Sequence, residues 1–187
     1  MTGQIAMPWG EPTERESDFW PTPAPATLAL LAVCPPPERS MIGEPAGGSG
    51  AIVRVLVGMG RTVSASDLRP ECGPDCIDAG AIHFEQRDWI ADPHNRWESI
   101  ITNPPFSVAQ EFTRACIAAE PCYLALLLRL NVLGSNPWAP LWLEHPPTGI
   151  YPLRHRPSFS GDGKTDACNY AWFTFIAGER PCNIRPI

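Results

Sequence analysis

The chain has 187 residues and a mass of 20.5 kDa. That is enough for one sizeable core and too little for a catalytic domain joined to a large recognition domain. With 44% hydrophobic and 18% charged residues it is not a disordered chain, and no apolar run reaches the roughly 18–20 residues that cross a bilayer. The formal net charge of −6 is unevenly spread. Residues 1–128 hold eight Arg and no Lys against sixteen acids, while residues 129–187 hold six Lys or Arg against four acids. A polyanionic partner is therefore expected only at the C-terminal third, where the pattern also fits ordinary surface charge.

The first residues carry no basic run and no long apolar stretch, so a secretion signal is not expected. The seven cysteines then read as reduced thiols of a cytoplasmic protein. The 23 prolines and 15 glycines follow no period. They punctuate apolar segments, which predicts many short elements joined by stiff turns.

In chain order, residues 1–17 read as a loose polar leader and residues 18–187 as one domain. Residues 25–33 predict a short apolar helix, stopped by Pro35-Pro36-Pro37. A short apolar run at 40–44 ends in Pro45 and a Gly-rich turn. Residues 49–59 have helical spacing, with Ile52, Val53, Leu56 and Val57 on one face and Gly58 and Gly60 as stops. A strand at 62–66 ends at Asp67, a weak helix covers 75–79 and a short strand covers 81–84. A strand at 98–102 ends at Asn103-Pro104-Pro105-Phe106. Residues 107–119 are helical, with Val108, Phe112, Ala115 and Ala119 at spacings of three or four. The continuous apolar run 122–130, opened by Cys122, suits a strand covered on both faces. A short helix at 140–144 precedes strands at 150–153 and 169–177, joined by a polar, Gly-containing loop. Strand-helix alternation followed by two strands predicts an α/β sheet. It is mostly parallel, with helices on both faces and an antiparallel strand pair at its C-terminal end.

The turn Glu44-Pro45-Ala46-Gly47-Gly48-Ser49-Gly50 stands where a strand gives way to a helix. Ligands of open α/β sheets bind outside the carboxyl ends of the strands, and glycines there allow close backbone approach. By itself it could equally be a plain tight turn. It is not a dinucleotide fingerprint, because the third glycine position holds Val53. It is not a phosphate loop either, since Lys164 is the only lysine in the chain. Asp67, at the end of the next strand, could accept hydrogen bonds from both ribose hydroxyls, or cap a turn before Pro70. A nucleoside ligand without phosphates fits these features best, and S-adenosylmethionine is the obvious one.

Asn103-Pro104-Pro105-Phe106 follows another strand, so it is expected on the same sheet edge as the glycines. Two prolines fix φ and remove two backbone donors, leaving outward-facing carbonyls in a stiff frame. The Asn103 side-chain oxygen and the Pro104 carbonyl could hold both N–H groups of an exocyclic amine and favour a pyramidal nitrogen. Phe106 offers a flat face for stacking. These parts suit methyl transfer to an amine, in which the protein supplies positioning and electrostatics. A rigid loop with an Asx turn uses the same residues.

Taken together, residues 18–176 resemble class I S-adenosylmethionine-dependent methyltransferases, and among them the phage-type N6-adenine DNA methyltransferases. The resemblance rests on Asp18-Phe19-Trp20-Pro21-Thr22-Pro23, the Glu44–Gly50 turn, Asp67, Asp88-Trp89, the Asn103–Phe106 tetrad, Arg156–Phe159 and Gly161–Asp166. It implies a Rossmann-like sheet; a departure from the family is that no separate target-recognition domain is expected after it. It implies Asn103, Pro104, Pro105 and Phe106 as the catalytic tetrad. Phe19, Trp20, Thr22, Pro23, Glu44, Ala46, Gly48, Gly50, Asp67, Leu68, Asp88 and Trp89 would then hold the cofactor. Arg154, Arg156, Ser158 and Lys164 would contact adenine-containing DNA, with the target base flipped out beside Phe106. The same tetrad serves relatives that act on RNA adenine or protein glutamine. A catalytically silent nucleoside-binding or partner subunit is the reading of another class, and the intact tetrad argues against it.

Other chemistries fit less well. Cytosine methylation needs a cysteine nucleophile, and Cys122 reads as core instead. Cys72 and Cys76 lack two further zinc ligands at matching spacing, so no metal is expected. Trp172 and Phe173 read as sheet core, and Trp20 and Trp89 as cofactor walls.

Overall fold

The computed structural model describes residues 20–159 and 167–184. The leader, Asp18, Phe19 and the Gly161–Asp166 segment with Lys164 lie outside the described residues. Among the described residues the chain forms helix α1 (Ala24–Val33), strand β1 (Ile42–Glu44), α2 (Ala51–Gly58), β2 (Val63–Asp67), α3 (Cys72–Asp78) and β3 (His83–Gln86). It continues with β4 (Ser99–Thr102), α4 (Ala109–Ala118), β5 (Tyr123–Arg129), α5 (Ala139–Glu144), β6 (Gly149–Pro152) and β7 (Tyr170–Ile176). The seven strands form one sheet in the order β3-β2-β1-β4-β5-β7-β6. All neighbours are parallel up to β5, and β7 runs antiparallel to both β5 and β6. The mostly parallel α/β sheet with an antiparallel C-terminal pair is as expected.

Strand β5 shows how the sequence builds two cores. Successive side chains point to opposite faces. Tyr123, Ala125 and Leu127 join Leu30, Val53 and Leu56 of α1 and α2. Leu124, Leu126 and Leu128 join Phe112 and Cys116 of α4 and Leu141 and Trp142 of α5. A strand covered twice needs an unbroken apolar run, and the segment has one. Trp172 and Phe173 of β7 are both fully buried, one in each core.

The differences from the sequence reading have local causes. Helix α3 starts at Cys72, three residues early, because Pro74 is tolerated in a first turn and Cys72 and Cys76 bury one face. Burial pushes both thiols up to about 12. Strand β3 sits two residues late: pairing with β2 begins at Ser64–His83, and Ile82, which suggested a strand, is exposed. Cys122 is exposed rather than core. It lies between the Glu120 turn, with φ of 51°, and the first paired residue, Tyr123. Two unanticipated 3-10 turns, Leu130–Gly134 and Asn136–Trp138, follow β5. They bring Trp138 onto Trp142 and Trp142 onto Phe173, with centroids 5.1 and 5.5 Å apart. No helix among the described residues is long and apolar enough to cross a membrane.

The strand order reverses at β1, which pairs with β2 on one side and β4 on the other. Loops leaving the carboxyl ends of β1 and β4 must then turn to opposite faces, and a crevice opens between them.

Candidate active site

That crevice is lined by both motif loops. Its walls include Trp20, Thr22, Glu44, Ala46, Gly48, Asp67, Leu68, Trp89, Asn103, Pro104, Pro105 and Phe106. The structure therefore brings twelve of the predicted site residues into one cleft. The other described ones lie outside it. Pro23 faces a second, apolar groove along α1, together with Arg154, Arg156 and the half-buried Ser158. Gly50 is buried at the start of α2, and Asp88 uses Oδ1 to accept the Ile90 N–H at 3.1 Å.

The β1 loop needs glycine at two points. Gly48 has φ of 53°, and its N–H donates to Asp67 Oδ2 at 2.9 Å, which ties the loop to the tip of β2. Gly50 begins α2 at φ 69°, and a Cβ there would lie 2.6 Å from Ala79 Cβ. Any side chain at Gly50 would push α2 and α3 apart.

Two acids stand at the strand tips. Glu44 is fully buried, and its Oε1 accepts the Ala46 N–H at 3.1 Å. Its Oε2 and the neighbouring Thr102 Oγ1 are buried without a well-formed hydrogen bond among the described residues. Burial raises the Glu44 carboxyl to about 8, although the Thr102 hydroxyl and the Ala46 N–H both favour its ionised form. Asp67 is engaged on both oxygens. Oδ1 accepts the Arg69 backbone N–H at 3.0 Å and Arg69 Nε at 3.1 Å, and Oδ2 also accepts Arg69 Nη2 at 3.3 Å. The Arg69 guanidinium thus covers the approach to this acid, a contact the sequence reading missed.

Trp89 forms the deep end of the cleft and stacks on Trp97 with centroids 5.0 Å apart. Trp97 fits because residue 43 is glycine: a Cβ there would sit 1.8 Å from the Trp97 ring. Trp97 was not placed from the sequence, because its packing depends on the missing side chain at Gly43.

At the β4 tip, Asn103 Nδ2 donates to the Trp20 carbonyl at 3.2 Å, and Asn103 Oδ1 is buried without a partner among the described residues. Phe106 is fixed by the neighbouring tips of β5 and β7. Arg129 Cζ lies over its ring, 4.4 Å from the centroid, while Tyr170 and Phe159 pack at 5.8 and 5.7 Å. Arg129 Nε in turn donates to the Tyr170 hydroxyl at 3.0 Å. Arg129 was also missed, because it closes an apolar strand and belongs to no motif.

No family model and no curated protein matches the sequence. Solved structures do match. An RNA methyltransferase from Salinibacter ruber in complex with S-adenosyl-L-homocysteine aligns over 88% of this chain and 99% of its own, at 15% identity and TM-score 0.57. A dimethyladenosine transferase from Plasmodium falciparum aligns over 84% of this chain and 63% of its own, at 11% identity and TM-score 0.61. A modification subunit assigned to a type I restriction enzyme of Vibrio vulnificus YJ016 aligns over 85% of this chain and 45% of its own, at 15% identity and TM-score 0.65. The chain has the class I methyltransferase fold. Within that fold, the glycine turn and the Asn103–Phe106 tetrad occupy the carboxyl ends of adjacent strands, β1 and β4.

Proposed function

We propose that the chain is an S-adenosylmethionine-dependent amine methyltransferase whose substrate is the N6 amino group of adenine in DNA. One observation carries the reading. The buried, unpartnered Asn103 Oδ1 lines the same cleft as the glycine loop and the two strand-tip acids. An acceptor left bare in such a place costs about 1–3 kcal/mol unless a ligand donor reaches it. An amino group supplies that donor.

The cofactor's requirements fit the residues present. Glu44 Oε2 and Thr102 Oγ1 are spare buried polar atoms at the loop, suited to its amino-acid end. Asp67 suits the ribose hydroxyls once these displace the Arg69 guanidinium, and Leu68 and Trp89 supply apolar walls. When bound, the cofactor supplies an electrophilic methyl on a sulfonium. Asn103 holds the amine so that its lone pair points at that methyl. Transfer of that methyl would leave the cofactor as a thioether holding the C–S electron pair, and the amine's extra proton would pass to water. Phe106, braced by Arg129, presents a flat face to the adenine. The exposed Arg154 and Arg156 are the candidates for phosphate contacts.

Asp67→Ala is expected to weaken cofactor binding about tenfold, while Arg69→Ala leaves it equal or tighter. Titration calorimetry with S-adenosylhomocysteine measures both, and an unchanged Asp67→Ala affinity moves the ribose elsewhere. The substrate is tested by methyl transfer from labelled cofactor to duplex DNA, single-stranded DNA, RNA and protein in parallel, followed by nucleoside analysis. Label on N6-methyladenine from DNA is the expected result. Label confined to RNA or to protein glutamine replaces the substrate, and none on any of them leaves a silent subunit.

A further inference from the structure

We infer that Trp20 is a wall of the target-base site and not of the cofactor site. The inference rests on the amine-methyltransferase reading and assigns within it a residue from outside the strand-tip motifs. Three observations meet at Trp20. Its ring lies nearly parallel to Phe106, with an interplanar angle of 18° and centroids 6.3 Å apart. Aromatic pairs span centroid separations of about 4.5–7 Å, so this pair is near the wide end of that range. The residue is 46% exposed although it lines the cleft, so nearly half of its surface stays open to a ligand. The third observation is the Trp20 carbonyl, which takes the Asn103 Nδ2 donor.

That last contact decides which way the Asn103 amide faces. A carboxamide has one acceptor end and one donor end, and a carbonyl partner can bind only the donor end. With Nδ2 held by Trp20, Oδ1 is the end left for substrate, and Oδ1 is the buried atom without a partner. The Trp20 backbone orients the amide, and the Trp20 ring adds a second aromatic surface beside Phe106. Phe106 itself is immobilised by Arg129, Phe159 and Tyr170. Trp20, 46% exposed on the segment before α1, is the more open of the two residues. A flipped base would therefore settle on a fixed phenyl ring and be covered by the indole. Base–aromatic stacking suits this role, because every base presents a π-face and orientation is left to Asn103.

The test uses the full chain and Trp20→Ala, which removes the ring and keeps the backbone carbonyl. Partial exposure of the side chain limits the folding cost, and Trp20→Phe controls for it. The expected result is a KM for adenine-containing DNA about tenfold higher, with S-adenosylhomocysteine affinity within twofold of wild type and recovery in Trp20→Phe. With 2-aminopurine at the target position, emission of the saturated complex is expected to rise in Trp20→Ala, because the quenching indole is gone. A fall in cofactor affinity with an unchanged KM overturns the inference and makes Trp20 a cofactor wall. Unchanged KM and emission also overturn it while leaving the methyltransferase reading intact. Absence of adenine methylation by the wild-type chain removes both.

Discussion

Asn103→Ala is expected to lower the rate of methyl transfer by about 10²–10³ and to leave cofactor affinity within twofold. The size follows from what the residue does at each end. Its Oδ1 is the buried acceptor, and its Nδ2 is used by the Trp20 carbonyl. On the proposed mechanism, removing the amide would delete an interaction that strengthens as the amine nitrogen becomes pyramidal and gains positive charge. Such a loss falls on the transition state more than on ground-state binding. Single-turnover transfer measures the rate, and calorimetry with S-adenosylhomocysteine measures the affinity. A variant with wild-type turnover removes Asn103 from the chemistry. A variant with equal losses in both measurements makes it a strut for the cleft.

The fold was readable because each βα unit carries its own period, and parallel units stack in few ways. The continuous apolar run of β5 and the helical spacing of α2 are local signals. The meeting of the glycine turn and the tetrad was readable only through topology: β1 and β4 are distant in sequence, and their pairing, Ile42 with Ser99, makes their loops neighbours. What escaped the sequence is side-chain contact across elements. Arg129 on Phe106, Arg69 on Asp67 and Trp20 beside Phe106 follow no period, since each depends on the direction of one side chain at a strand tip or loop. Cys122 shows the converse error. It has the composition of the strand it precedes, but the turn at Glu120 leaves it in solvent. The place of Glu44 in the cleft was readable, and its protonation was not. That property comes from complete burial, which only the packed structure reveals.

Glu44 is expected to make both folding and cofactor binding depend on pH, with opposite signs. In the cofactor-free protein its carboxyl is raised from an ordinary carboxylate value to about 8, chiefly by burial. The folded state therefore holds one more proton than the unfolded state across the interval between those values. Stability from this group is greatest at acid pH and declines as pH rises through the interval, levelling off above about 8. The wild-type chain is expected to lose about 3–5 kcal/mol relative to Glu44→Gln between pH 5 and pH 9, read from denaturant midpoints of both. Binding runs the other way. If the ionised carboxylate receives the cofactor's ammonium group, the complex holds one proton fewer than the free protein. Affinity then climbs by up to tenfold per pH unit below about pH 8 and flattens above it. Near neutrality, binding should release close to one proton. Titrations of S-adenosylhomocysteine in two buffers of different ionisation enthalpy count that proton directly, and Glu44→Gln should release none. Identical heats in the two buffers for the wild-type chain would place the ammonium away from Glu44. The buried, uncharged carboxyl would then be a packing element at the tip of β1.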